Sequence, residues 1–175
     1  MKKSILILAL VCLPLAAFAD FQIGGAAYLN VPLTQNQIDS NIDLSFDDLQ
    51  FGADARFNFG ILQFQGLMMF QPGNDDIFLD PYINLYTDIG VVFDLAIIRL
   101  GAGIGPNFGL SLGENNGDAF SVGANIKLSA EVVLGNLSVG LNWLMVIPDL
   151  TVEDVSAAFE QPCGYAGISV LYKLF

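Results

Sequence analysis

The sequence predicts an all-β protein, an eight-stranded antiparallel up-and-down transmembrane β-barrel with short periplasmic turns and longer outer loops. Three observations predict this fold class. Apolar residues recur at every second position after residue 20, which is the period of a β-strand. The connections between these segments alternate between short and long. The chain is 54% hydrophobic with a net charge of −12, yet after residue 20 it has no apolar run long enough for a transmembrane helix.

Residues 1–19 are predicted to be a secretory signal peptide. Two lysines follow Met1, Ile5–Leu13 is a short apolar stretch, and Ala17–Ala19 has the small-x-small pattern of a cleavage site. The apolar stretch is shorter than the about 20 residues that a membrane-spanning helix needs. We therefore expect export with cleavage after Ala19, which leaves residues 20–175 as a single barrel domain.

The two cysteines bear on whether the exported chain is lipid-anchored and on whether a disulfide stabilises it. A lipoprotein with Cys12 as the lipidated residue is an alternative to the cleaved signal peptide, but bulky Val11 occupies a position where a small residue is expected. Cleavage would leave Cys163 as a single thiol. Because one thiol cannot form an internal disulfide, the stability of the exported chain is expected to come from the fold.

Eight segments show the strand period. The clearest is 49–59, where one face carries the apolar set and the other the polar set: Leu49, Phe51, Ala53, Ala55, Phe57 and Phe59 alternate with Gln50, Gly52, Asp54, Arg56 and Asn58. The predicted strands in chain order are Phe21–Val31, 49–59, 62–70, 83–93, 98–104, 120–132, Leu137–Ile147 and Tyr165–Leu174. An even number of amphipathic strands joined in sequence is typical of a membrane barrel.

The connections set the pairing of the strands. Two-residue turns are predicted at Gly60-Ile61, Asp94-Leu95 and Gly135-Asn136, and a leading glycine suits a type II′ hairpin. The second turn would place Gly90 opposite Arg99. Asp88 would then be the diagonal neighbour of Arg99, within reach of its long side chain. The longer connections carry most of the acidic residues, which we expect to be solvated loop tips, and span 33–45, 72–77, 112–119 and 148–162.

Side-chain volume indicates which face of the barrel points outward. An eight-stranded barrel has room only for its own inner side chains or one small ligand. The apolar set is bulky, whereas the alternate set is small and holds ten glycines: Gly24, Gly52, Gly90, Gly101, Gly103, Gly105, Gly109, Gly123, Gly140 and Gly167. The small polar set is therefore predicted to fill the lumen, and the apolar set to face lipid.

The signal peptide, the eight amphipathic strands and the final Phe175 together resemble the small bacterial outer-membrane barrels of the OmpW, OmpX and OmpA-barrel type. This resemblance implies a monomer in outer-membrane lipid, delivered by periplasmic chaperones to the barrel-assembly machinery. In these families a terminal aromatic residue serves as the assembly signal, which here implies Tyr172 and Phe175. The last apolar set, which includes Tyr172, is one residue out of phase with Phe175. Either Phe175 turns inward or assembly reads a variant signal.

The charged residues of the polar set are the candidate site. They form a predicted lumen charge network of Asp54, Arg56, Asp88, Arg99, Lys127, Glu131 and Lys173. One interpretation is a salt-bridge network that plugs the barrel. The other is a gate or selectivity ring whose pairs exchange partners. A catalytic role is disfavoured because the chain contains no histidine, so the protein is not expected to be an enzyme.

Further classes of ligand are disfavoured by composition. The negative net charge argues against nucleic acid, which needs clustered Lys or Arg. No loop has the spaced ligand pattern of a calcium site, and neither a metal nor a cofactor is expected. The function predicted first is OmpW-like passage of small molecules, including apolar ones, through a narrow or laterally opening lumen. The alternative is a closed structural barrel that anchors surface loops for adhesion or envelope integrity.

Overall fold

The structure, a computed structural model, describes residues 19–32, 49–72, 81–112, 120–147 and 163–175. They form eight strands: β1 Ala19–Pro32, β2 Leu49–Phe59, β3 Leu62–Gln71, β4 Tyr82–Leu95, β5 Ile98–Ser111, β6 Phe120–Leu134, β7 Leu137–Ile147 and β8 Cys163–Lys173. Each strand pairs antiparallel with its neighbour in sequence, and β8 pairs with β1 to close the barrel. The predicted eight-stranded up-and-down barrel is confirmed.

Two sets of predictions fall outside this part of the chain. The signal peptide and its cleavage site precede or border the first described residue, and the four longer connections lie almost wholly between the described ranges. Within those ranges, no helix has the length and hydropathy needed to cross a bilayer.

Strand β5 is longer than predicted and continues past Pro106 to Ser111. The carbonyl of Pro106 accepts a hydrogen bond from the Thr87 hydroxyl at 3.1 Å.

The predicted turn at Asp94-Leu95 is wrong. The chain turns at Ala96-Ile97, so that Asp94 lies opposite Arg99, and Gly90 lies opposite Gly103 rather than Arg99. Moving a two-residue turn by two positions leaves every side chain on its original face, so the apolar pattern cannot distinguish the two registers. The observed register brings Arg99 Nε to 2.6 Å from Asp94 Oδ1.

The three tight turns share one backbone feature. The first turn residue has a positive φ in each: 59° at Gly60, 57° at Ala96 and 64° at Gly135. Glycine adopts this conformation without steric strain, whereas Cβ of an alanine crowds the backbone there. Ala96 is therefore a strained position in a turn that otherwise resembles the other two.

We expect Ala96→Gly to stabilise the barrel by about 1 kcal/mol, because the strain of the left-handed conformation is removed. Urea unfolding of the refolded protein in vesicles would measure this change. Gly60→Ala is the matched control, since a Cβ there meets no atom within 4 Å and adds only backbone strain. Loss of stability in Gly60→Ala with no gain in Ala96→Gly would contradict a strained Ala96.

The two faces of the barrel have opposite character. Large apolar side chains from all eight strands are exposed on the outer face, including Ile104 at 57% and Leu141 at 67% exposed. Every charged residue of the described ranges occupies an inward-facing strand position: Asp20, Asp54, Arg56, Asp88, Asp94, Arg99, Lys127, Glu131 and Lys173. This arrangement is the reverse of a water-soluble barrel and places the polar groups in the lumen.

Candidate functional site

The lumen is divided into three layers along the barrel axis. The turn-end layer lies next to the tight turns and contains Asp20, Asp94, Arg99 and Lys173. The ionic layer lies at mid-height and contains Asp54, Arg56, Asp88, Lys127 and Glu131. The apolar layer lies nearest the ends that lead into the longer connections and contains Tyr28, Leu67, Met69, Tyr86 and Leu144. Alternation of side chains along each strand sends every second residue into one of these layers. Each layer is built by residues from several strands, so its composition is set by register as well as by sequence.

Arg56 is the centre of the ionic layer. Its guanidinium is fully buried and lies 2.8 Å from Asp54 Oδ2 on the same strand. It also pairs with the Glu131 carboxylate across the lumen. The same group donates to Asn142 Oδ1 at 3.3 Å and to Ser169 Oγ at 3.2 Å. Arg56 thus links β2 to β6, β7 and β8 through the interior.

A second cation, Lys127, enters this layer from β6. Its Nζ lies 3.7 Å from Asp54 Oδ2, and Gln65 donates to the other oxygen of Asp54 at 2.7 Å. Asp88 accepts a hydrogen bond from the Asn125 amide. Asp88 packs against Gly103 of β5. A Cβ added at Gly103 would lie 3.2 Å from the Cβ of Asp88.

The apolar layer closes the lumen above the ionic layer. Its side chains are each at most 1% exposed: Tyr28, Leu67, Met69, Tyr86 and Leu144. Ala26, Val146 and Tyr165 pack against them. Side chains buried this deeply leave almost none of their surface open to water. This layer is therefore a plug made of the barrel's own side chains.

Sequence reasoning did not identify Leu67 and Met69 as lumen residues. They belong to an unbroken apolar run, 66–70, in which alternation of polarity disappears. Their position carries the signal: both share the parity of the polar residues Gln63, Gln65 and Gln71, and the polar set is the one predicted to fill the lumen. Counting by twos from the glutamines would have placed them inside.

Asp20 joins the charges of the turn-end layer. It accepts hydrogen bonds from Asn58 Nδ2 at 2.7 Å and from Arg99 Nη2 at 3.2 Å. The Lys173 ammonium lies 3.6 Å from the same carboxylate. A polar cleft of about 80 Å³ opens beside Arg99 and Lys173. Asp20 was not among the predicted site residues, although its parity matches that of the other inward charges.

The seven predicted site residues therefore form two groups rather than one network. Five of them meet in the ionic layer: Asp54, Arg56, Asp88, Lys127 and Glu131. Arg99 and Lys173 lie in the turn-end layer and are bridged by Asp20. The predicted neighbour relation between Asp88 and Arg99 is wrong, because Arg99 pairs with Asp94 and Asp20 instead.

No protein-family model and no curated protein matches this sequence. Solved structures of other proteins resemble it in fold, and two of them are small outer-membrane barrels. The N-terminal β-barrel domain of Pseudomonas aeruginosa OprF has a TM-score of 0.58 and 9% sequence identity, over 87% of this chain and 97% of that chain. Neisserial surface protein A, NspA, has a TM-score of 0.51 and 13% identity, over 89% of this chain and 97% of that chain. The chain has the fold of a small outer-membrane β-barrel. The predicted resemblance is confirmed at this level.

The end of this outer-membrane barrel fold shows how Phe175 departs from the alternation. Strand β8 ends at Lys173, and Phe175 is 64% exposed. Its ring stacks on Phe21, with centroids 5.8 Å apart and planes at 21°. Its carbonyl accepts a hydrogen bond from the Phe21 amide at 3.1 Å. The alternative in which Phe175 turns inward is wrong, because the alternation stops before the last two residues.

Among the residues that the structure describes, no cluster of three or more His, Cys, Asp or Glu side chains could hold a metal ion. The polar groups of the lumen are instead directed at one another, by ion pairs and by amide hydrogen bonds. Removing one partner of such a buried ion pair leaves an uncompensated charge, which is strongly destabilising.

Proposed function

We propose that this protein is an outer-membrane barrel whose filled lumen makes it a closed anchor for its outer loops. The observation that carries the proposal is the apolar layer stacked on the ionic layer, both formed by buried side chains. Solute crossing the lumen would have to displace both layers. An eight-stranded barrel has little interior volume beyond that of its own side chains, which agrees with this state.

The outer face supports placement in the outer membrane. Its exposed side chains are apolar along all eight strands, and the charges of the described residues lie on inward-facing positions. Closure by β1 and β8 pairs the backbone groups that a sheet edge would leave unsatisfied in lipid. We propose that the mature chain is exported, delivered by periplasmic chaperones and inserted as a monomer by the barrel-assembly machinery.

Passage of small molecules, the function predicted first from sequence, fits this geometry less well. Opening the ionic layer would separate Arg56 of β2 from Glu131 of β6 and so break a buried ion pair. The apolar layer would remain as a second obstruction. A cleft is present at the turn end, where it is lined by polar groups and lies below both layers.

We expect refolded wild-type protein to give no steady current in a planar lipid bilayer, because two layers of buried side chains obstruct the lumen. Arg99→Ala should be equally silent, since Arg99 lies in the turn-end layer and supports neither obstruction. A porin added to the same bilayer controls for membrane quality, and protease protection controls for insertion. Reproducible single-channel currents from the wild type would overturn the closed-anchor proposal in favour of transport.

A further inference from the structure

The ionic layer contains one more negative charge than positive charge. Its carboxylates are Asp54, Asp88 and Glu131, and its cations are Arg56 and Lys127. All five side chains are buried. An uncompensated charge taken out of water carries a penalty of several kcal/mol, even after the surroundings relax. A closed lumen of this composition therefore needs one more positive charge than the side chains provide.

The deficit lies at Asp88. Asp54 has two cationic partners, Arg56 and Lys127, and Glu131 has one, Arg56. Asp88 forms no ion pair within 4.0 Å with any other residue that the structure describes. Its Oδ1 accepts the hydrogen bond from Asn125, whereas its Oδ2 is buried and has no donor among the same residues. Glu131 also has a buried oxygen without a donor, Oε2, but its Oε1 pairs with Arg56. Asp88, which combines an unpartnered oxygen with the lack of a paired cation, is therefore the least favourable site for negative charge in this layer.

The groups that face Asp88 come from every neighbouring part of the wall. Gln65 lies opposite it on β3, and Gly103 of β5 provides the space beside it. Asp88 interacts electrostatically with Lys127 of β6 and with Asp54 and Arg56 of β2. The buried Tyr28 hydroxyl of β1 is also close enough to interact with the Asp88 carboxylate. Both cations are held by other carboxylates, and Asp54 adds repulsion.

A bound metal ion would compensate the charge less readily than a proton. Ions such as Ca²⁺ require about six or more oxygen ligands at about 2.3–2.6 Å. In the part of the chain that the structure covers, no acidic cluster is arranged to hold a metal ion. A proton needs no cavity, and it turns the unpartnered carboxylate oxygen into a hydroxyl donor.

We propose that the ionic layer binds one proton at neutral pH, carried by Asp88 on Oδ2. The layer is then neutral, with two cations and two carboxylates, while the protonated Asp88 keeps its Asn125 hydrogen bond through Oδ1. The inference rests on the closed lumen but not on any role of the outer loops. Unfolding exposes Asp88 to water and releases this proton near neutral pH, so the free energy of unfolding falls as pH rises.

Infrared spectroscopy of the refolded protein, in a detergent without ester or acid groups, tests the proposal. We expect the C=O stretching band of a protonated carboxyl group at pH 7 in the wild type. Asp88→Asn should abolish the band, whereas Asp94→Asn, at an exposed carboxylate beside a tight turn, should retain it. Absence of the band in the wild type would overturn the proposal, and so would its persistence in Asp88→Asn.

A second measurement does not depend on a variant that folds. Isotope labelling of aspartate side-chain carboxyl carbons in the wild type should shift the band. An unshifted band would assign the proton to a glutamate and overturn the proposal. Because conductance and the infrared band are measured separately, failure of the closed-anchor proposal is distinguishable from failure of the proton site.

Discussion

Arg56→Met is expected to lower the free energy of unfolding by about 3–5 kcal/mol, the typical effect of removing one partner from a buried ion pair. Methionine has no charge, so Asp54 would keep the hydrogen bond from Gln65 and the more distant Lys127 cation, and Glu131 would lose its ion pair with Arg56. Asn142 and Ser169 would each lose a hydrogen bond as well. Urea unfolding of the refolded barrel, followed by tryptophan fluorescence, measures the change.

Lys173→Met is the matched control for Arg56→Met. It also removes a cation from the lumen, but the Lys173 side chain is partly exposed and its ammonium lies 3.6 Å from Asp20. Exposed pairs contribute about 0–1 kcal/mol, so a small loss is expected. Equally small losses in the two variants would show that the ionic layer is solvated, which is incompatible with a closed lumen.

Ile104→Arg is expected to destabilise the barrel in lipid vesicles by about 2–4 kcal/mol, the penalty for a cation on the lipid face at mid-bilayer. Ile104 is 57% exposed near the middle of β5 and lies beside Ile89 and Ile126 on the neighbouring strands. The arginine would face hydrocarbon without a partner. Equilibrium unfolding of vesicle-inserted protein would measure the penalty.

Ile97→Arg provides a control with the same residue type and nearly the same exposure, 59%, but at a tight turn. Near the interface the penalty falls to about 0–1 kcal/mol. A water-soluble barrel would tolerate the two substitutions equally. Equal small effects at Ile97 and Ile104 would therefore argue against a membrane location for this outer face.

Much of the fold could be predicted because one physical rule acts on every strand. In a closed barrel each residue faces either the lumen or the outside, and the face follows from parity. The rule was sufficient where polarity alternated, as in 49–59. It was insufficient at Leu67 and Met69, because the apolar layer lets the inner face become as apolar as the outer one.

The partners within the candidate site were harder to predict than its members. Parity placed Arg99 in the lumen, but its contacts with Asp94 and Asp20 depend on where the chain turns and on which strands close the barrel. The apolar pattern is unchanged by a shift of two residues, so it could not specify the turn. Contacts across the lumen, such as Arg56 with Glu131, join residues distant in sequence and carry no local signal.

The span of Arg56 also affects how the barrel assembles and comes apart. Its partners lie on β2, β6, β7 and β8, so the set of bonds is incomplete until the last strand has joined the wall. An intermediate that lacks β8 would have to keep these charges hydrated, and contacts between distant parts of a chain form slowly. Pairing of β8 with β1 and formation of the Arg56 contacts thus occur together, late in folding. Interactions that form after the transition state chiefly slow unfolding, which favours a long-lived folded barrel.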